Sequence, residues 1–206
     1  MTAPNNKFRN HFIATTALVI YVGILLGNSA ARIATSPETL VENHPNGKVH
    51  NRIEVDEHRQ PHGWSREYTD TGTLKAERHY VHGIRDGISR LYYTTGELMT
   101  EWIYRNGKRH GTSLGYFKNG RLKDKGVYQN DLLEGPVLKY YPGGALKARM
   151  NFKNDLLEGD SFIYFENGQA QSIYRYFKGR AWTLKVYSPD GKLLRKQEFP
   201  QPRLQP

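Results

Sequence analysis

Residues 87–110 read GISRLYYTTGELMTEWIYRNGKRH, and the reading of these 24 residues decides the fold. The leading glycine returns every 24 residues, at Gly63, Gly87, Gly111, Gly135 and Gly159. A second glycine follows each by nine residues (Gly72, Gly96, Gly120, Gly144, Gly168), and a tyrosine follows by five (Tyr68, Tyr92, Tyr116, Tyr140, Tyr164). The position seventeen residues on is aromatic every time: Tyr80, Tyr104, Tyr128, Phe152 and Tyr176. Two copies close with the same six residues, Asn-Asp-Leu-Leu-Glu-Gly, at 130–135 and 154–159. A fixed period of this length marks an array whose units bury their faces only against neighbours.

Within the quoted copy, Ser89 to Tyr93 and Leu98 to Tyr104 are short runs rich in aromatic and branched side chains, separated by Thr94-Thr95-Gly96 and closed by Arg105 to His110. That is two strands and two turns per repeat, with Asn106-Gly107, Asn119-Gly120 and Asn167-Gly168 as hairpin signals. Nothing after residue 31 has helical periodicity. The fold class is therefore all-β, an elongated antiparallel meander of tandem hairpins behind an N-terminal signal or anchor helix. Period-two alternation places Leu98, Trp102 and Tyr104 on one face and Met99, Glu101 and Ile103 on the other, and one face is expected to be apolar, the other mixed and often basic. A second ring follows the tyrosine at Tyr93, Phe117, Tyr141 and Phe165, so the two rings point opposite ways. Two arrangements satisfy this. Either one column forms a solvent-facing aromatic ladder, or the tyrosine column lines the concave side while its neighbour caps a turn.

The array runs over residues 62–199. Its last copy is one residue short, with Trp182 in the glycine's place and Tyr187, Gly191, Leu193 and Phe199 at the recurring offsets. Pro200, Pro202 and Pro206 make the 200–206 tail unfit for strand pairing. Residues 32–61 are irregular and read as a linker followed by a degenerate capping hairpin, turning at Asn46-Gly47 into Val49 to Val55. The run Tyr104-Arg105-Asn106-Gly107-Lys108-Arg109-His110-Gly111, followed by Tyr116-Phe117-Lys118-Asn119-Gly120, resembles the MORN family, and more narrowly the bacterial variant class labelled YwqK-like antitoxin components. The resemblance implies a twisted sheet of antiparallel hairpins that binds proteins or lipid headgroups, and it brings no catalytic residues. Asp131 and Asp155 stand where that pattern has glycine, so their turn is expected to differ.

Residues 1–31 read as an export signal. Lys7 and Arg9 precede Phe12 to Ala31, twenty residues without a charge, and Ser29 and Ala31 fit cleavage after Ala31; the same stretch nearly suffices as an uncleaved anchor. Both readings leave the positive end inside and carry the repeats out of the cytoplasm, into the periplasm or onto the outer side of an inner membrane. The whole chain has a net charge of +10, a pI near 9.7 and a mean hydropathy of −0.73. Such a balance suits a sheet wet on at least one side, with spread basic charge that attracts acidic partners weakly.

Chemistry is hard to find. There is no cysteine, which excludes disulfides, thiolate metal sites and a cysteine nucleophile. His58, His62, His79, His82 and His110 include neighbours four apart, but that spacing converges ligands on a helix and none is expected there. No metal or other cofactor is therefore expected. Glu134 and Glu158 are repeat copies of each other and read as architectural, and no nucleophile elbow, phosphate loop or unique carboxylate pair appears. The expectation is a non-catalytic binding module, antitoxin- or immunity-like or an adaptor, capturing a partner protein such as a toxin or effector on Tyr68, Tyr92, Tyr116, Tyr140 and Tyr164. Its alternative is a membrane-surface scaffold whose Lys123, Lys125, Lys139, Lys147 and Arg149 meet anionic lipid. An envelope hydrolase is a third class without a site, and export argues against nucleic acid as partner.

Overall fold

The computed structural model describes residues 37–200. Residues 1–31, read above as an export signal or anchor, the start of the linker and all of the proline tail beyond Pro200 lie outside the described residues. Those described contain sixteen strands and no helix. They are β1 (Glu38–Asn43), β2 (Val49–Val55), β3 (Pro61–Tyr68), β4 (Leu74–Val81), β5 (Ile84–Tyr92), β6 (Leu98–Arg105), β7 (Lys108–Tyr116) and β8 (Leu122–Gln129). The remainder are β9 (Leu132–Leu133), β10 (Gly135–Tyr140), β11 (Leu146–Lys153), β12 (Leu156–Leu157), β13 (Gly159–Tyr164), β14 (Ala170–Phe177), β15 (Arg180–Tyr187) and β16 (Leu193–Glu198). All belong to one antiparallel sheet in sequence order, with the short β9 and β12 pairing back onto β8 and β11. Every neighbour in space is thus a neighbour in sequence.

From β3 onward two turns alternate along the sheet, and each has a backbone reason; the β2–β3 turn at Asp56 is of the first kind, with Arg59 at φ 60°. At the first, Gly96 N–H donates to Tyr93 O and Tyr93 N–H to Glu97 O, with Gly96 at φ 99°. This is a three-residue hairpin loop ending in a left-handed glycine. It recurs at His44, Thr69, Phe117, Tyr141, Phe165 and Ser188, so the residue that follows each column tyrosine starts the turn, and it is aromatic in four of the five. Tyr93 and Tyr141 also donate their hydroxyls to the carbonyls of Tyr116 and Tyr164 one repeat on, both at 2.8 Å. The capping arrangement for that ring is the one adopted.

The second turn has two residues, both at positive φ: Asn106 and Gly107 at 48° and 80°. Asn130 and Asp131 take 52° and 72°, and Asn154 and Asp155 take 50° and 62°. The turn at Asp131 and Asp155 therefore does not differ in backbone path, contrary to the expectation from sequence. Its bond to the preceding repeat also recurs, from Gly107 N–H to Arg85 O, Asp131 N–H to Arg109 O and Asp155 N–H to Leu133 O. What differs comes just after it. The backbone N–H groups of Glu134 and Glu158 donate to Val127 O and Asn151 O, and the returning strand is divided there into β9 with β10 and β12 with β13, where β5 and β7 are continuous. Asn and Asp tolerate the left-handed conformation better than other non-glycine residues, which lets the turn persist.

The strands are bulged at a fixed place. Tyr68 pairs with Leu74, Tyr92 with Leu98, Tyr116 with Leu122, Tyr140 with Leu146 and Tyr187 with Leu193, with a register shift at each. Leu98 thus lies opposite Tyr92, with Met99 skipped, and does not continue the row of Trp102 and Tyr104 as simple alternation implied.

One face carries what is buried. A cross-strand row runs Ser65, Arg78, Ser89, Trp102, Ser113, Gly126 and, beyond Val137, on to Met150, Ser161, Tyr174 and Leu184. Small residues alternate with large ones, so long side chains lie over their short neighbours. Where the large place holds Gly126, a Cβ there would meet Leu133 and Val137 methyls at 3.3 Å, so these two side chains fill the gap. The core is thin: Val55, Ala76, Val137, Ala148 and Leu184 are its buried apolar residues, and no large side chain among the described residues is fully buried.

Candidate functional site

The opposite face carries a second row, and its chemistry changes midway. From Arg66 it passes to Glu77, Arg90 and Glu101, one residue per strand from β3 to β6. Arg66 Nε lies 3.0 Å from Glu77, Arg90 Nε 2.7 Å from Glu101, and Arg90 Nη1 3.8 Å from the far oxygen of Glu77. Here the charges satisfy one another. Tyr92 joins them, its hydroxyl donating to Glu77 at 2.7 Å. Burial pushes the Glu77 carboxyl up, but the hydrogen bonds from Tyr92 and Arg66 and the two guanidinium charges outweigh it and hold Glu77 below its ordinary value. Burial and the Glu77 carboxylate push Tyr92 up to about 12.

Beyond Glu101 the row contains no acid. It runs Leu114, Lys125, Leu138, Arg149, Phe162 and Ile173, then Lys185 and Lys196. Tyr116, Tyr140 and Tyr164 lie two residues along their strands from Leu114, Leu138 and Phe162, hence on the same face. The Phe162 and Tyr164 rings stack at 6.1 Å, which places Tyr164 there directly. All five column tyrosines are half-buried. Among the described residues only Tyr92 of the five spends its hydroxyl on an intrachain hydrogen bond. Tyr92 is thus part of the charged ladder, and Tyr68 ends its first strand, β3, two residues beyond Arg66.

The five cations of the lipid alternative are all exposed and make no ion pair among the described residues. They do not share one face. Lys125 and Arg149 are in the row just described and Lys123 is two residues from Lys125, whereas Lys139 pairs with Asp124 and Ala148 in a row of the buried face. The Lys147 ammonium lies 5.4 Å over the Tyr141 ring. The aromatic and basic candidates therefore share one surface in the C-terminal half, less Lys139, Lys147 and the first two tyrosines.

Glu134 and Glu158 have a defined structural task. They accept the N–H of Asn154 and Lys178, the first left-handed residue of the turn twenty residues on, at 2.9 and 2.7 Å, as Asp86 does for Asn106 at 2.9 Å. Histidine occupies this column at His62 and His110. His110 Nδ1 is buried without a partner, and His62 Nδ1 faces the N–H of His82 at 3.3 Å.

Sequence spacing missed one cluster. The Asp56 turn, β3 and the β4–β5 turn bring Asp56, His62 and His82 together, with one ligand-type atom from each within 4.8 Å of the others. The four-apart spacing of His58 and His62 is not what makes the cluster; the sheet instead brings His62 and His82 together across strands. His58 takes no part and lies against Glu57. His79 is used internally, its Nδ1 on Asp86 O at 2.7 Å.

The described residues thus form an open β-repeat array with one self-neutralised and one unpaired basic-aromatic stretch. A family model described as a MORN repeat variant matches residues 85–106, 109–130 and 133–154, three tandem repeats. The same turn bonds at Gly83 and Gly179 extend the structural repeat one unit to either side of the matched stretch. No curated protein matches the chain.

Proposed function

We propose that the chain is a non-catalytic binding module that captures an acidic partner protein on the face of Leu114, Lys125, Leu138, Arg149 and Phe162, flanked by Tyr116, Tyr140 and Tyr164. The observation that carries this reading is the change within one row, from charges that pair with each other to cations set between apolar side chains with no carboxylate beside them. Rigid tyrosines with unspent hydroxyls offer contact area at small entropic cost. The recurring acids support a non-catalytic role, since Glu134 and Glu158 are engaged with turn N–H groups. An antitoxin- or immunity-like role, or that of an adaptor, follows from the family resemblance, and Lys7, Arg9 and the uncharged run to Ala31 favour an array held outside the cytoplasm.

A lipid-surface scaffold is the second reading, favoured by the unpaired exposed Lys123, Lys125 and Arg149. Salt separates the two. Capture from the native envelope with the full chain as bait, washed at about 0.5 M salt where screening lengths fall to a few Å, should retain one stoichiometric protein. Replacing Tyr116, Tyr140 and Tyr164 together by serine should release it while circular dichroism stays unchanged; Tyr92 is left in place because it holds Glu77. Retention by the triple variant would sink the protein reading. Binding only to anionic vesicles, and only at low salt, would establish the scaffold instead.

A further inference from the structure

Asp56, His62 and His82 are brought together in one repeat only, and the set departs from what the array does elsewhere. At the position before the leading glycine, Asp86, Glu134 and Glu158 present a carboxylate to a turn N–H at 2.7 to 2.9 Å. His62 fills that position with the longer 3.3 Å contact. At the receiving position, where other repeats have Asn106, Asn130, Asn154 and Lys178, this repeat has His82. The third group comes from outside the repeat pattern, from the turn joining β2 to β3. Turn architecture employs Asp56 Oδ1 and the His62 column, but it accounts for neither Asp56 Oδ2 nor the His82 ring.

The carboxylate is oriented for a further ligand. Asp56 Oδ1 accepts the N–H groups of His58 and Gln60 at 3.0 and 2.9 Å, which fixes the plane of the carboxyl group and turns Oδ2 outward. Oδ2 meets His82 Nδ1 at 2.9 Å. The two imidazole rings lie 4.6 Å apart between centroids. The Asp56 side chain is only 9% exposed while that of His82 is 68% exposed, so a held acid sits beside a ring free to swing and open to solvent. Backbone donors behind a ligating carboxylate are the outer support that metal sites use.

We infer that Asp56, His62 and His82 form a binding site for one divalent transition cation of the zinc class at the N-terminal end of the array. Two imidazoles and one carboxylate are a donor set suited to such an ion and poorly suited to calcium or magnesium, which take oxygen ligands. In a tetrahedral zinc site with bonds of about 2.0 to 2.2 Å, ligand atoms stand about 3.3 Å apart. The three ligand atoms already lie within 4.8 Å of one another, and His82, 68% exposed, is the ring with room to move toward a shared ion. The cation takes the place of the proton between His82 Nδ1 and Asp56 Oδ2 and displaces the weak His62 contact, and water completes the shell. Bound, it ties the 56–60 turn, β3 and the β4–β5 turn together. The inference is independent of which partner the basic-aromatic face binds.

The test is titration of the full chain with Zn2+, followed by calorimetry, and with Co2+, followed by its visible absorption. His82→Asn installs the residue the array itself uses at that turn, so folding is retained, and Asp56→Asn keeps the shape of its hairpin loop. His44→Asn is the control, because His44 and His50 form a second histidine pair, 4.2 Å between ring centroids, without a carboxylate partner in the structure. The expected result is one equivalent bound, a cobalt spectrum of tetrahedral intensity, and affinity lowered ~10–100-fold or more by His82→Asn and by Asp56→Asn but not by His44→Asn. No binding by the unaltered chain, equal affinity in the His82→Asn variant, or a loss only in His44→Asn would each overturn the site.

Discussion

At the scale of single residues, the repeat acts as its own control, because each position has four or five copies against which an odd one stands out. His110 is such a case. Its column supplies the acceptor for a left-handed turn residue, yet its Nδ1 is buried without a partner, and no side-chain acceptor reaches the Asn130 N–H it faces by analogy. An unmet buried polar atom costs about 1–3 kcal/mol, and a hydrogen bond gained contributes about 1 kcal/mol net. His110→Glu reproduces the combination of Glu134 with Asp155 one repeat on, here with Asp131, so the added carboxylate meets no arrangement foreign to the array. The expected outcome is stabilisation by about 1 kcal/mol in chemical denaturation. A fall in stability would mean that the column's acceptor function does not transfer. Gly111, next in sequence, illustrates the opposite constraint: at φ 117° it lies where side chains do not go, and a Cβ would also press on Ile103 at 3.4 Å.

At the scale of elements, strands β2 to β6 are joined by charge as much as by hydrogen bonds. Glu67, bonded to Lys75 and Arg78, and Glu77, bonded to Tyr92 and Arg66, both titrate below the ordinary value of 4.5. A carboxyl whose folded pKa is depressed contributes stability in full above its unfolded pKa. That contribution is lost as pH falls through the folded one. The N-terminal repeats should therefore weaken on acidification from about 4.5 downward, while β10 to β12, which contain no carboxylate, respond less. Hydrogen exchange of β4 and β5 amides between pH 5 and 3, compared with Glu77→Gln, checks this: the variant should be less protected at pH 5 and lose less on acidification. Equal acid sensitivity in both chains would remove the ladder from the account. These same elements show what a sequence can and cannot reveal. The strands and both turns were legible because glycine, Asn-Gly and aromatic columns act within a few residues along the chain. The bulges at Tyr92 and Tyr116 were not, since they depend on which residue of the facing strand is skipped. Asp56 with His62 and His82 was hidden for the same reason: His62 and His82 are twenty residues apart and read as unrelated turn residues until the sheet sets one turn beside the next. The Tyr and Lys columns were both visible, but their convergence on one face needed the register.

At the scale of the molecule, every strand in the sheet pairs with its sequence neighbour, so no contact depends on the two ends finding each other. Such an array has a stability that approximates a sum of unit and interface contributions. Removing one whole repeat should leave each remaining interface with its usual partner, because the residue before each leading glycine is followed by an equivalent glycine. Deletion of 111–134 joins His110 to Gly135 and preserves both turns and the face of every following residue. Deletion of 111–122 leaves β6 to meet the second strand of a hairpin, where a Tyr–Leu bulge must face a strand without one. The 24-residue deletion should therefore keep the β-sheet circular dichroism spectrum and a cooperative transition at a lowered denaturant midpoint, and the twelve-residue deletion should lose cooperativity. The first deletion also takes away Leu114, Lys125 and Tyr116 and leaves the ladder of Arg66 to Glu101 whole. Its partner capture should fall while the acid response of β4 and β5 stays. If capture instead survived undiminished in a folded deletion chain, the contact would have to lie outside the stretch where the row turns from paired charge to cation and apolar side chain.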